Sequence, residues 1–147
     1  EAIENFKSNL KSKDSPLTAD NLEAIFEKHK HNATEMHYAI RWLFQMKQYA
    51  KAAEWAKRFS ELYPMETEFL YLAAFGYKLA GEYTEALDFS ERLFARAIRH
   101  EKNLLNLVDL QILMKRKTEA ENVISFLIKF FPHNDKISKL KAAMEGL

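Results

Sequence analysis

The chain has 147 residues, a formal net charge of +1 and 48% hydrophobic residues. This length suits one compact domain, and the apolar fraction excludes an intrinsically disordered chain. The near-neutral charge disfavours general binding to nucleic acids or membrane surfaces, and the interrupted apolar runs predict no membrane-spanning segment. Because the chain has no cysteine, disulfides and thiolate chemistry are excluded, and a reducing compartment such as the cytoplasm is favoured.

Residues 1–32 are predicted to form an N-terminal pair of short helices that caps the domain. Apolar residues at helical spacing place the first helix in residues 2–12. A turn then leads to a second helix from about Asp20 to His29. This pair lacks the sequence markers of the segment that follows, so we interpret it as a degenerate unit or a cap.

Residues 33–134 are predicted to contain three copies of one structural unit. Small residues recur at an interval of 34 residues, at Ala52, Ala86 and Ala120. A fixed period of this length indicates one supersecondary unit that is used repeatedly. The interval divides the segment into residues 33–66, 67–100 and 101–134.

Each unit is predicted to consist of two helices joined by a tight turn. In the middle unit, the first helix carries an apolar stripe formed by Leu70, Ala73, Ala74 and Tyr77. Gly81 is predicted to end this helix, since glycine accepts the left-handed conformation found there. Thr84 and Thr118 are predicted to cap the second helices of their units, and Asn32 the first helix of the first unit.

Proline is predicted to end the second helices of the first and third units. Pro64 and Pro132 disfavour helical geometry in the residues that precede them. Ile98 occupies this position in the middle unit. We therefore predict that the middle second helix runs on toward Arg99 or His100, or that this junction is locally irregular.

The helix–turn–helix pattern resembles the tetratricopeptide repeat (TPR) family, in a degenerate form. The positions that fit the family pattern are Ala52, Pro64, Tyr77, Gly81, Ala86, Leu107, Ala120 and Pro132. Bulkier residues replace the alanine usual late in the second helix, at Phe59, Leu93 and Leu127. The resemblance implies an all-α, right-handed solenoid of antiparallel helix pairs. Residues 135–147 would form a partial further unit or a C-terminal capping helix.

The resemblance also implies that the first helices line a concave surface that holds a binding groove. The residues predicted for this groove are His37, Arg41, Tyr71, Lys78, Lys102 and Asp109. Aromatic rings beside positive side chains suit a protein or peptide partner that has apolar anchors and some acidic character. The carboxylate clamp of co-chaperone TPR domains is disfavoured, because Leu72 replaces a polar residue of that clamp.

A second candidate surface is a basic face on the second helix of the middle unit. It consists of Arg92, Arg96 and Arg99, which lie at positions i, i+4 and i+7 of one helix. Such a line would suit phosphate, an acidic partner or a second domain. A solvated surface with weak ion pairs is the more ordinary role of such a line, and RNA is disfavoured as its ligand.

No catalytic, metal-binding or cofactor-binding pattern stands out in the sequence. HExxH is absent, and the glycines are isolated rather than gathered in a phosphate-binding loop. The chain is therefore predicted to be a non-catalytic protein–protein interaction or scaffolding module without a cofactor. The alternative is an accessory domain of a larger protein, catalytic or not, that orients another domain or forms a homodimer. The start at Glu1 without methionine and the end at Leu147, partway through a further unit, favour that alternative.

Overall fold

The computed structural model of the chain describes residues 19–147. This part of the chain contains eight α-helices and no strands, which confirms the all-α class for it. The helices are α1 Ala19–His29, α2 Ala33–Gln45, α3 Tyr49–Leu62, α4 Glu68–Leu79, α5 Tyr83–Arg96, α6 Glu101–Leu113, α7 Lys117–Phe130 and α8 Ile137–Glu145. The helix predicted for residues 2–12 lies outside the described residues.

The helix boundaries recur along the chain. The helices α3, α5 and α7 each have 14 residues, and their first residues are Tyr49, Tyr83 and Lys117. Their starts and ends are therefore separated by the 34-residue interval of the buried alanines. At each end, the N–H of the C-cap residue donates a hydrogen bond to the carbonyl four residues earlier.

The prediction that the second helix of the middle unit runs on toward His100 is wrong. The helix α5 ends at Arg96, and its C-cap Ala97 has φ −144° and ψ 74°, close to the values at the ends of α3 and α7. His100 is the extended N-cap of α6, and its Nδ1 accepts a hydrogen bond from the Asn103 N–H at 3.1 Å. The helix α5 therefore ends at the same position of its unit as α3 and α7, although Ile98 replaces the proline.

A residue in the left-handed conformation follows each of α2, α4 and α6. These residues are Lys47, Gly81 and Lys115, with φ of 59°, 82° and 59°. Gly81 therefore lies where it was predicted, just after the end of α4. The two lysines were not anticipated, because left-handed backbone is uncommon outside glycine and asparagine.

One of the predicted helix caps is confirmed and two are wrong. The Asn32 side chain caps α2 by accepting a hydrogen bond from the Glu35 N–H at 3.0 Å. Thr84 and Thr118 instead lie inside the first turns of α5 and α7. The N-cap residues are Glu82 and Arg116, two residues earlier than predicted, and neither makes a side-chain cap hydrogen bond.

Consecutive helices pack against one another around a continuous apolar core. The three periodic alanines have no exposed surface: Ala52, Ala86 and Ala120. The bulky residues at the equivalent late positions of the same helices are also fully buried: Phe59, Leu93 and Leu127. The buried face of each of these helices thus carries a small residue near its start and a large residue near its end.

A close approach between α3 and α4 occurs at Gly76. A Cβ atom built on Gly76 would lie 2.9 Å from the Cβ and 3.1 Å from the Cα of Ala53. Because a contact this short requires atoms to move, only glycine fits without displacement. The first and middle predicted units are in contact at this point.

A buried polar contact joins α5 to α6. The Ser90 hydroxyl donates to Asn103 Oδ1 at 2.8 Å, and Asn103 Nδ2 donates to the Ser90 carbonyl at 3.0 Å. Both side chains are buried. The contact therefore satisfies polar groups that would otherwise destabilise the fold.

The helix α1 packs at the N-terminal end of the described structure and ends at His29 as predicted. The Phe26 and Trp55 ring centroids are 5.6 Å apart, which joins α1 to α3. Arg58 of α3 lies over the Phe26 ring and donates two hydrogen bonds, each of 2.8 Å, to Glu23. Aromatic packing and a bidentate ion pair thus hold α1 in place.

Candidate partner-binding surface

The residues predicted for the groove lie on α2, α4 and α6, and α4 contacts both of the other helices. Lys78 and Asp109 form an ion pair, and ring contacts and ion pairs join these two residues and Tyr71 to Phe44, Glu68, Phe75 and His100. We call this connected surface the first-helix face. It is formed by His37, Arg41, Phe44, Glu68, Tyr71, Phe75, Lys78, His100 and Asp109.

A row of four aromatic rings crosses the first-helix face. Phe44 of α2 lies 5.8 Å from Phe75 of α4, which stacks on Tyr71 at 5.8 Å and 17° between the ring planes. Tyr71 in turn stacks on His100, the N-cap residue of α6, at 5.2 Å. All four rings are half-buried. The row therefore presents a continuous apolar strip that still reaches solvent.

Lys78 and Asp109 contact each other rather than standing free in the groove. Lys78 Nζ lies 3.0 Å from Asp109 Oδ2 and 5.4 Å from the centroid of the Phe75 ring. The lysine side chain is 16% exposed and the aspartate side chain 46%. A partner carboxylate would have to compete with Asp109 for Lys78, so these residues act first as a contact between α4 and α6.

Glu68 connects the aromatic row to the start of α6. His100 Nδ1 accepts a hydrogen bond from a backbone N–H, so the neutral ring carries its proton on Nε2 and donates to Glu68 Oε2 at 3.3 Å. Burial, together with the charge of Glu68, raises the pKa of Tyr71. The Tyr71 hydroxyl therefore stays protonated and able to donate a hydrogen bond at neutral pH.

His37 is a neutral member of the face. Its ring lies edge-on to Phe69 at 5.9 Å. Burial chiefly, and then the positive charge of Arg41, lower the pKa of His37, while Glu68 opposes the shift. Since the ordinary pKa of histidine is already below 7, His37 offers hydrogen bonds rather than charge at physiological pH.

Arg41 and Lys102 supply the free positive charges near this surface. Both side chains are exposed, and neither forms an ion pair within the part of the chain that the structure describes. Arg41 adjoins His37 on α2, and Lys102 lies in the first turn of α6. No ion pair or cation–ring contact within the described residues joins Lys102 to the row of rings. Lys102 therefore lies near the first-helix face only because it is in α6.

The predicted basic face on α5 is divided rather than continuous. Arg92 forms an ion pair with Asp88 at 2.8 Å and lies 4.6 Å from the centroid of the Phe89 ring. Arg99 reaches across to α7 and lies 4.6 Å from the centroid of the Phe130 ring. Arg96 is exposed between them. The line seen in the sequence therefore does not act as one charged surface.

Sequence reasoning missed two buried polar residues of α6. Asn106 and Gln111 are buried, and both polar atoms of the Asn106 side chain and the Oε1 atom of Gln111 have no hydrogen-bond partner in residues 19–147. The available signal was Asn106 itself, a polar residue at the position of the third unit that corresponds to Leu72 in the middle unit. These groups lower the stability of α6 rather than form an accessible site.

Among the described residues, no group of three or more histidine, cysteine, aspartate or glutamate side chains could hold a metal ion. No helix in residues 19–147 has the length and apolar character that crossing a membrane requires. The chain matches no protein-family model and no curated protein, so no relative assigns a role to these residues.

Proposed function

We propose that this chain is a non-catalytic binding module that holds an extended or helical segment of a partner protein on the first-helix face. The row of four half-buried rings is the observation that supports this proposal most strongly. Aromatic side chains contribute large apolar area at little entropic cost, and they are enriched among residues that dominate binding energy.

The charges around the row define the partner that would fit. Arg41 and Lys102 lack acidic partners among the described residues, so they are free to contact carboxylates of the bound segment. His37 and Tyr71 are neutral and offer hydrogen bonds to its backbone or polar side chains. The partner segment would therefore carry apolar anchors flanked by acidic residues.

We further propose that the predicted units form a right-handed, TPR-like solenoid with the first-helix face on its concave side. Two observations support this architecture: the 34-residue recurrence of the helix boundaries and the complete burial of Ala52, Ala86 and Ala120. Side-by-side first helices would give the bound segment one continuous track.

Charge reversal on the first-helix face tests the proposed function. The full chain, immobilised as wild type and as the Arg41→Glu/Lys102→Glu variant, is used to capture partners from native cells, which are quantified by mass spectrometry. The variant should lose most of the capture, because it repels acidic segments, and should keep the thermal unfolding midpoint of the wild type, since both side chains are exposed.

A matched control is the Lys57→Glu/Lys141→Glu variant, which reverses two other exposed lysines on α3 and α8. It changes the net charge by the same amount and should keep the capture intact. Equal losses in the two variants would indicate an effect of net charge alone and would contradict a site on the first-helix face.

A further inference from the structure

A second row of half-buried rings lies on α5 and α7, two helices that do not contribute to the first-helix face. Phe94 of α5 lies 5.7 Å from Phe126 of α7 with the rings at 67°, and Phe126 stacks on Phe130 at 6.1 Å and 22°. We call these three rings, together with Arg99 and Lys129, the α5–α7 patch.

Two cations of the patch approach one ring. The centroid of the Phe130 ring lies 4.6 Å from the Arg99 guanidinium carbon and 5.7 Å from Lys129 Nζ. Both cationic side chains are exposed, and neither forms an ion pair within the described residues. The ring attracts both cations and restrains them before any ligand arrives, which lowers the entropic cost of binding.

Arg92 of α5 provides the contrast to Arg99, which follows the end of that helix. It also lies 4.6 Å from the centroid of a phenylalanine ring, but Asp88 neutralises it at 2.8 Å. The α5–α7 patch therefore differs from the Arg92–Phe89 contact in carrying two cations that form no ion pair within the described residues.

We propose that the α5–α7 patch docks an acidic segment of a partner protein. Carboxylates of that segment would pair with Arg99 and with Lys129, and the guanidinium can donate two parallel N–H···O hydrogen bonds to one carboxylate. An aliphatic or aromatic side chain of the segment would pack on Phe94 and Phe126. This is a second binding surface, made from different helices, and it goes beyond the function proposed above.

The geometry favours a protein segment over single-stranded nucleic acid. A base needs a free ring face to stack on, yet the Arg99 guanidinium lies over Phe130, and the Phe94 and Phe126 rings pack against each other at a steep angle. Nucleic-acid complexes with strong electrostatic binding use about six to ten phosphate contacts, many more than two cations supply.

An NMR titration of the full chain tests the patch with a defined probe. The probe is the synthetic peptide Glu-Glu-Leu-Trp-Glu-Glu-Leu, and the reference peptide has glutamine in place of every glutamate. The probe should shift the backbone amide resonances of Arg99, Phe126, Lys129 and Phe130, and the reference should not. The Arg99→Gln/Lys129→Gln variant should bind the probe roughly tenfold more weakly, because it loses two charge-assisted contacts.

Three further variants separate binding from folding and from the first-helix face. Arg92→Gln should leave the binding of the probe unchanged. Lys129→Gln alone should weaken this binding, and it keeps the test available if the double variant unfolds. Arg41→Glu/Lys102→Glu should leave the shifts of Arg99, Phe126, Lys129 and Phe130 unchanged even if it removes shifts on the first-helix face, so that failure of this proposal and failure of the proposed function are seen separately.

Several results would overturn the proposal. If the probe shifts no resonance of the α5–α7 patch, or if the reference peptide binds as tightly as the probe, the patch does not recognise acidic residues. Oligouridylate that shifts the same resonances more strongly than the probe would assign the patch to nucleic acid. A third result would assign the patch to a second copy of the chain. In that case the chain self-associates in light scattering, Arg99→Gln/Lys129→Gln abolishes this self-association, and the probe does not bind.

Discussion

Single small side chains set how closely the helices pack. Ala86 has no exposed surface, whereas Ala95 lies exposed on the same helix. Ala86→Leu should therefore destabilise the fold by about 1–3 kcal/mol, since extra methylene groups force a packed core apart. Ala95→Leu should change stability by less than about 0.5 kcal/mol. Urea unfolding followed by circular dichroism measures both, and equal effects would show that the period does not mark the packed positions.

Gly76 gives a prediction whose sign depends on the structure. Glycine inside a helix usually costs about 1 kcal/mol relative to alanine, so Gly→Ala ordinarily stabilises a helix. Here the new Cβ would lie 2.9 Å from the Ala53 Cβ, and we expect Gly76→Ala to destabilise the protein by about 1–3 kcal/mol.

A double-mutant cycle in urea unfolding isolates that clash. Ala53→Gly removes the Cβ partner but leaves its Cα at 3.1 Å from the new atom, so it should make Gly76→Ala less damaging without full rescue. A stabilising Gly76→Ala would mean that α3 and α4 are farther apart than described. The sequence could not indicate this role, because the close approach at Gly76 depends on where the opposing helix α3 lies.

At the scale of elements, α6 contains two buried asparagines with opposite energetic roles. Asn103 is fully hydrogen-bonded to Ser90, whereas the Asn106 amide has no partner in the described part of the chain. Asn106→Leu should raise the free energy of unfolding by about 1–2 kcal/mol, since it removes an unsatisfied buried group. Asn103→Leu should lower it by about as much or more, because Ser90 would lose its partner. Chemical denaturation of both variants checks the contrast, and a destabilising Asn106→Leu would reveal a hydrogen bond made by that amide.

The ends of the helices show how far local sequence rules reach. Asn32 and Gly81 act as predicted, because one supplies a side-chain acceptor and the other a left-handed backbone. Lys47 and Lys115 adopt the same backbone conformation as Gly81 without a local signal. Ile98 misled the prediction for α5, because that helix ends at the same position of its unit as α3 and α7 without a proline.

Across the whole molecule, periodic burial was predictable and the contacts of the candidate site were not. A 34-residue spacing of small residues indicates which helix faces are buried, and the described helices bear out that burial. The pairing of Lys78 with Asp109 depends on how α4 and α6 lie side by side, which no local pattern specifies. Because Lys78 is paired with Asp109, the free positive charge at the candidate site comes from Arg41 and Lys102 instead.

Site-specific photo-crosslinking tests the central claim, that a partner binds along the first-helix face. Benzoylphenylalanine is placed at Tyr71, within the row of rings, or at Tyr83, an exposed tyrosine at the start of α5. After capture from native cells and irradiation, the chain carrying the label at Tyr71 should crosslink to the captured partner, and the chain carrying it at Tyr83 should not. A captured partner that crosslinks only from Tyr83, or from neither position, would contradict the account.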